Sequence, residues 1–255
     1  MRSTRLLPAF LFTGLLVSAT ASATPISIYS GIDNGAGPGG PFPNATAAQS
    51  AFFAATGFVG PNVTFEGLAS LGVVAPGVSA SLSNTDSSFS GLQTTDQHTP
   101  EALGFNITTG GNEWLQVAPL FLSPTGGSVT FSFTSGITAF GLWFTDSQSD
   151  LPGPITIAFN DGAAETLSVT KNGLNPAGAS TGGAVYFGFV TDAPFTSLTI
   201  NTGASGDFRD VWGIDDVTLG TAGAVSAAVP EPISLVLLGT GLIGAGVRRY
   251  RRKRQ

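Results

Sequence analysis

Between its two ends the chain is built from short runs in which apolar and polar residues alternate, set apart by Gly, Ser, Thr, Asn and Asp. Such runs occur at Val63-Thr64-Phe65-Glu66, Val129 to Phe133, Ile137 to Phe144, Ile155 to Phe159, Thr166 to Val169, Val185 to Val190, Leu198-Thr199-Ile200 and Val211 to Leu219. A period of two turns successive side chains to opposite faces, so each run suits a strand with one buried face. Phenylalanine dominates the aromatics, with 19 copies, many at alternating positions where a strand would bury them. Asn160-Asp161-Gly162 separates two runs and signals a hairpin, because Asp-Gly accepts the positive φ angles of a tight turn. Helical periodicity is nearly absent. Many short strands at this spacing predict an all-β fold, an antiparallel β-sandwich or barrel, over residues 62–221.

The stretch before it, residues 24–61, differs. Ile26 to Pro43 is rich in Gly and Pro and reads as irregular. Asn44 to Thr56 is alanine-rich and follows Pro43, with Asn44 as N-cap and closure near Gly57; this is one short helix, packing Phe52 or Phe53 on a sheet. Residues 222–229 form a small-residue linker.

The two ends carry an address. Arg2 and Arg5, the apolar run Leu6 to Val17 and Ala21-Ser22-Ala23 make a secretory signal peptide, residues 1–23, cut after Ala23. At the other end, Val229-Pro230-Glu231-Pro232 precedes an uncharged stretch from Ile233 to Val247. Arg248, Arg249, Arg251, Arg252, Lys253 and Arg254 follow it. Fifteen residues of helix reach only about 22 Å, short of a hydrocarbon core of about 30 Å, so the segment spans with thinning or snorkelling arginines. The basic cluster holds to the cytoplasmic side. Two prolines around Glu231 keep the peptide extended, the form a protease grips. This three-part tail, residues 230–255, resembles the PEP-CTERM sorting signal read by exosortases. The resemblance implies removal of the anchor at Pro230, Glu231 and Pro232 after transient residence in the inner membrane, then delivery to the cell surface or beyond. It also implies association with extracellular polysaccharide and biofilm.

Charge narrows the function. Of ten basic residues only Lys171 and Arg209 lie between the ends, against fifteen acids, so residues 24–229 carry −13 where the precursor carries −6. Such a surface repels nucleic acid and anionic lipid and favours cations. No cysteine is present, which removes disulfides, thiol catalysis and Cys-zinc sites. His98 is the sole histidine, in a polar stretch, and no G-x-S-x-G accompanies it, so a serine triad is disfavoured. Paired carboxylates could hydrolyse a glycosidic bond, but no motif selects a pair among the fifteen.

The densest local pattern is Gly206 to Leu219. Trp212 and Ile214 share one strand face while Val217 and Leu219 fall on the other parity, so all four face inward only if the strand bulges at Asp215-Asp216. Adjacent carboxylates on a bulge suit calcium, which takes several oxygens in irregular geometry. Phe65-Glu66-Gly67 and Trp212 to Leu219 resemble the first and last strands of jelly-roll, carbohydrate-binding-type modules. That resemblance implies a structural calcium held by Glu66 and Asp215, with Asp216 or main-chain carbonyls completing the set. Trp114, in the loop-like Gly110 to Trp114, is the best candidate for stacking on sugar rings, with core packing the favoured reading even there; Trp143 and Trp212 read as core. The sequence thus predicts an exported, acidic, non-catalytic sandwich with a structural or polysaccharide-binding role. The alternative is an extracellular carbohydrate-active hydrolase.

Overall fold

The computed structural model describes residues 25–94, 104–146, 155–159, 166–169, 183–203 and 211–222. The signal peptide, His98, the Asn160-Asp161-Gly162 turn, Lys171, Arg209, most of the linker and the whole tail, with Pro230 to Pro232 and the basic cluster, lie outside these residues.

Among the described residues ten strands and one helix follow in chain order: β1 (Pro25–Asn34), α1 (Pro43–Thr56), β2 (Val73–Ala75), β3 (Val78–Ser83), β4 (Gly91–Gln93) and β5 (Trp114–Val117). After them come β6 (Ser128–Thr145), β7 (Ile155–Phe159), β8 (Thr166–Val169), β9 (Gly183–Asn201) and β10 (Trp212–Gly220). Every pairing is antiparallel.

Two strands organise the rest. At 18 and 19 residues, β6 and β9 are far longer than the typical strand of about five or six. Their mutual ladder breaks between Ser132 and Ile137 and again between Ile137 and Ala139. On one side of that break, the first half of β6 pairs with β3 and the second half of β9 with β7. On the other side, the second half of β6 pairs with β10 and the first half of β9 with β1. One layer therefore runs β2-β3-β6-β9-β7-β8 and the other β4-β5-β10-β6-β9-β1, with β6 and β9 passing from layer to layer. The result is the expected antiparallel sandwich.

Between the layers lies the main core. Phe131, Phe133, Phe159, Leu198 and Ile200 from one layer meet Leu142, Phe144, Val185, Phe187, Ile214 and Val217 from the other. Ring pairs bridge the layers, Phe131 to Phe140 at 5.6 Å and Phe159 to Phe189 at 5.3 Å between centroids. This is the even-odd division that the alternating runs require.

The second layer also buries its outer face, under α1. Here Ala139, Trp143, Ala184, Tyr186 and Val190 pack with Ala45, Ala48 and Phe52 of the helix and with Phe105. Gly141 and Gly188 are register partners across β6 and β9. A Cβ on Gly188 would fall 2.9 Å from Cδ2 of Phe52, and one on Gly141 would meet the same ring at 3.2 Å. Two missing side chains thus form the hollow in which Phe52 sits.

Three expectations need correction. Ile26 to Pro43 is not irregular throughout: Pro25–Asn34 forms β1 on β9, so the sandwich begins near residue 25 and not at 62. Asn44 does not cap α1. The helix starts one residue earlier, with Pro43 at its first turn, and Asp33 of β1 supplies the cap from a distance. Its Oδ1 accepts from the Asn44 amide at 3.2 Å and its Oδ2 from the Ala45 amide at 2.8 Å. Last, Val63 to Glu66 makes no regular strand; only Val63 bridges, to Val217. The closure at Gly57, in the left-handed region at φ 78°, is as expected.

Candidate functional site

The ladder between β10 and β6 slips by one residue. Gly213, Ile214 and Asp215 face Thr145, Phe144 and Trp143, but Thr218 faces Gly141. Two residues, Asp216 and Val217, stand opposite Leu142, and Asp216 takes φ 47°. The bulge resets the parity. Trp212, Ile214 and Val217 all enter the core and Leu219 packs against it. Val217 in turn exchanges backbone hydrogen bonds with Val63, at 3.0 and 2.8 Å. Phe65 is buried, and its φ of 62° turns Glu66 away from that edge.

Three carboxylates then converge on one loop, residues 105–113. Asp215 Oδ2 accepts from the amides of Ile107 at 2.7 Å and Thr108 at 3.1 Å. Asp216 Oδ1 accepts from the Thr108 hydroxyl at 2.6 Å. Glu66 Oε1 accepts from Asn106 Nδ2 at 3.0 Å and from the amides of Asn112 and Glu113, both at 2.9 Å. The grip is returned, since the Gly67 amide donates to Glu113 Oε2. Phe105 donates its amide to Thr145 Oγ1, which fixes the start of the loop. The sequence singled out Glu66, Asp215 and Asp216, which the structure brings to one loop, and passed over that loop's Asn106, Thr108 and Glu113. No short motif marks them, because the loop meets its acids across 40 to 108 residues of chain.

Between this loop and α1 opens a cleft of about 570 Å³, bordered by Phe42, Thr46 and Gln49 on the helix side, Asn106 to Gly111 on the loop side, and Trp143 and Asp216. Trp114 is not at its surface. The ring lies fully buried in β5, as the favoured core reading has it, so it presents no face for a sugar and the stacking alternative falls. The Gly-Gly run that made it look loop-like ends just before the strand starts.

The acids are unusually short of positive charge: the described residues contain no lysine or arginine. Burial first, and then the charge of Asp216, pushes the Asp215 carboxyl up to about 7, against the pull of the amides that it accepts. Burial raises Asp216 as well, opposed by the Thr108 hydroxyl and reinforced by Glu66. Asp215 Oδ1 is buried without a hydrogen-bond partner.

An orphaned buried carboxylate oxygen beside a second carboxylate is what a hard cation satisfies, so Asp215 and Asp216 fit calcium. Glu66 fits less directly, because its Oε1 already takes three donors. Among the described residues no three His, Cys, Asp or Glu side chains cluster closely enough to hold a metal by themselves. Main-chain carbonyls would have to complete the set.

The sequence profile of the PEP-CTERM protein-sorting motif matches residues 228–252. The chain therefore carries the sorting motif of exported proteins that exosortases deliver to the surface. No curated protein matches the chain. Among solved structures, a module described under "CBM4 structure and function" is 18% identical over 58% of this chain and 96% of its own, with TM-score 0.31. TmCBM61 in complex with β-1,4-galactotriose is 13% identical over 56% of this chain and 88% of its own, with TM-score 0.26. The enzymatically active domain of tailspike protein 4 of bacteriophage CBA120 is 13% identical over 56% of this chain but only 19% of its own, with TM-score 0.27. Likenesses this distant assign no ligand and no activity to the present chain.

The raised carboxyl sets a pH dependence. Its folded value lies above its unfolded value of 3.8, so its contribution to stability is complete below about pH 4 and is lost as pH rises through about 7. In chelator, the melting temperature should fall between about pH 4 and pH 7 more steeply for the wild type than for Asp215→Asn, which keeps an acceptor for Ile107 and cannot ionise. Parallel slopes for the two proteins would show that Asp215 is not strained by its charge.

Proposed function

We propose that this is an exported surface protein whose sandwich associates with extracellular polysaccharide and performs no catalysis of its own. The observation that carries the reading is the sorting motif at residues 228–252, attached to a sandwich with an open polar cleft. The motif speaks for export. The tail enters the inner membrane with its basic cluster on the cytoplasmic side and is released at Pro230-Glu231-Pro232. The cleft speaks for a ligand rich in hydroxyls, being bordered by amide and hydroxyl side chains and glycine backbone.

A glycoside hydrolase needs two carboxyl groups flanking the scissile bond, about 5 to 10 Å apart. Asp216 is the one carboxylate among the described residues bordering the cleft, and Asp215 is shut inside the fold. That arrangement favours binding over hydrolysis. A binder should be retarded in gels containing its polysaccharide and leave the polymer unchanged; release of reducing ends would establish the hydrolase instead. For the sorting step, Glu231→Ala should leave the protein in the membrane at precursor length. Normal processing of that variant would contradict release at this box.

We also propose a structural calcium at Asp215 and Asp216, with Glu66 beside them. Its role would be to cancel the repulsion of the buried pair and lock the 105–113 loop onto β10. Saturating calcium should raise the melting temperature by mass action and flatten its fall with pH. An identical curve in calcium and in chelator would remove calcium from the account.

A further inference from the structure

We propose that the cleft between α1 and the 105–113 loop is the sugar site, and that without calcium it takes neutral glycan segments and refuses acidic ones. The proposal rests on the polysaccharide-binding reading and specifies its location and selectivity.

The cleft lies within the size range of small-molecule sites, about 300 to 1,000 Å³. Its walls differ in kind. Phe42 is half-buried, stacked 6.1 Å from Phe105 and set edge-on at 5.7 Å to Trp143, so an aromatic surface is held rigid at one side. Such a surface suits the apolar face of a pyranose. Thr46 and Gln49 stand one helical turn apart on α1 and bring a hydroxyl and an amide to the same opening. Opposite them, Thr108 and Thr109 offer hydroxyls and Gly110 and Gly111 offer backbone. A Cβ at Gly111 would fall 2.1 Å from Glu66 Oε1 and push that carboxylate off the donors it accepts from, so this wall is thin.

The charge of the site sets the selectivity. Among the described residues no basic side chain borders the cleft, and the one ionisable group there, Asp216, is a carboxylate with one oxygen engaged by Thr108. The other oxygen can accept from a sugar hydroxyl. A uronate or sulfated sugar would instead bring a second negative charge against Asp216, with Asp215 and Glu66 behind it and no counter-charge among the described residues. Like charges at that range in a partly desolvated site repel strongly.

The position of the cleft also makes it rigid. Its helix wall is fixed by Phe52 in the glycine hollow and by Asp33 at the helix start, and its loop wall by Asp215, Asp216 and Glu66. A site with both walls pinned binds without a large ordering cost.

The test uses the full chain purified in detergent, in chelator at about pH 8 so that the carboxylates are ionised and carry no calcium, titrated with neutral gluco- and manno-oligosaccharides and with oligogalacturonate of matched length. The wild type should bind at least one neutral series and show no saturable binding of oligogalacturonate. Thr46→Tyr, at an exposed helix position, should fill the mouth and weaken neutral binding about tenfold or more. Gln49→Ala should weaken it about fivefold, the value of one hydrogen bond. Both variants should melt as the wild type does. Neutral binding untouched by either substitution would overturn this cleft while leaving polysaccharide binding intact. Oligogalacturonate bound as tightly as the neutral series would overturn the selectivity. Absence of binding to either kind would overturn the cleft together with the polysaccharide reading on which it rests.

Discussion

The one-residue slip in the last strand is the constraint from which the site follows. Without it, Val217 and Leu219 would face outward, and the core would lose two apolar anchors of β10. Burying a side chain of this kind contributes about 1.5 to 3 kcal/mol, so the bulge is favoured by the core on its own account. Its consequence is chemical. The surplus residue turns both carboxylates of Asp215 and Asp216 to the outer side of the layer, where the 105–113 loop supplies the N–H and O–H groups that make their burial tolerable.

A second carboxylate does comparable work at the opposite wall. Asp33 ends β1 at the start of α1 and accepts from two of the helix's unpaired amides, so strand and helix are joined through one side chain. Phe52 then seats in the hollow left by Gly141 and Gly188. The cleft is what remains between a helix placed by Asp33 and Phe52 and a loop placed by the bulge. In both cases a carboxylate accepts from backbone amides, with no lysine or arginine beside it among the described residues, which suits a domain with so few basic residues.

How much of this the sequence disclosed follows from the range of each interaction. The alternation in Val129 to Phe133, Ile137 to Phe144 and Val185 to Val190 marked the core strands, because period two is a local property. The parity conflict between Ile214 and Val217 located the bulge for the same reason. Capping by Asp33 was invisible: the sequence offered Asn44, a good cap residue in the right place, and the winning acid lay on another element. The Gly-rich approach to Trp114 kept a stacking role open beside the favoured core reading, and only the tertiary fold shows that β5 begins at the tryptophan itself. Asn106, Thr108 and Glu113 were illegible because each acts on a carboxylate distant in the chain.

The most direct test of the account is amide hydrogen exchange at Ile107 and Thr108. If the buried Asp215 carboxylate holds the loop onto the bulge, these two amides exchange slowly, on the scale of the β10 ladder, and Asp215→Ala speeds both by at least an order of magnitude. Exchange in the wild type as fast as that of an open surface loop would mean that the carboxylates do not grip the loop, and the cleft would lose the wall on which its proposed function depends.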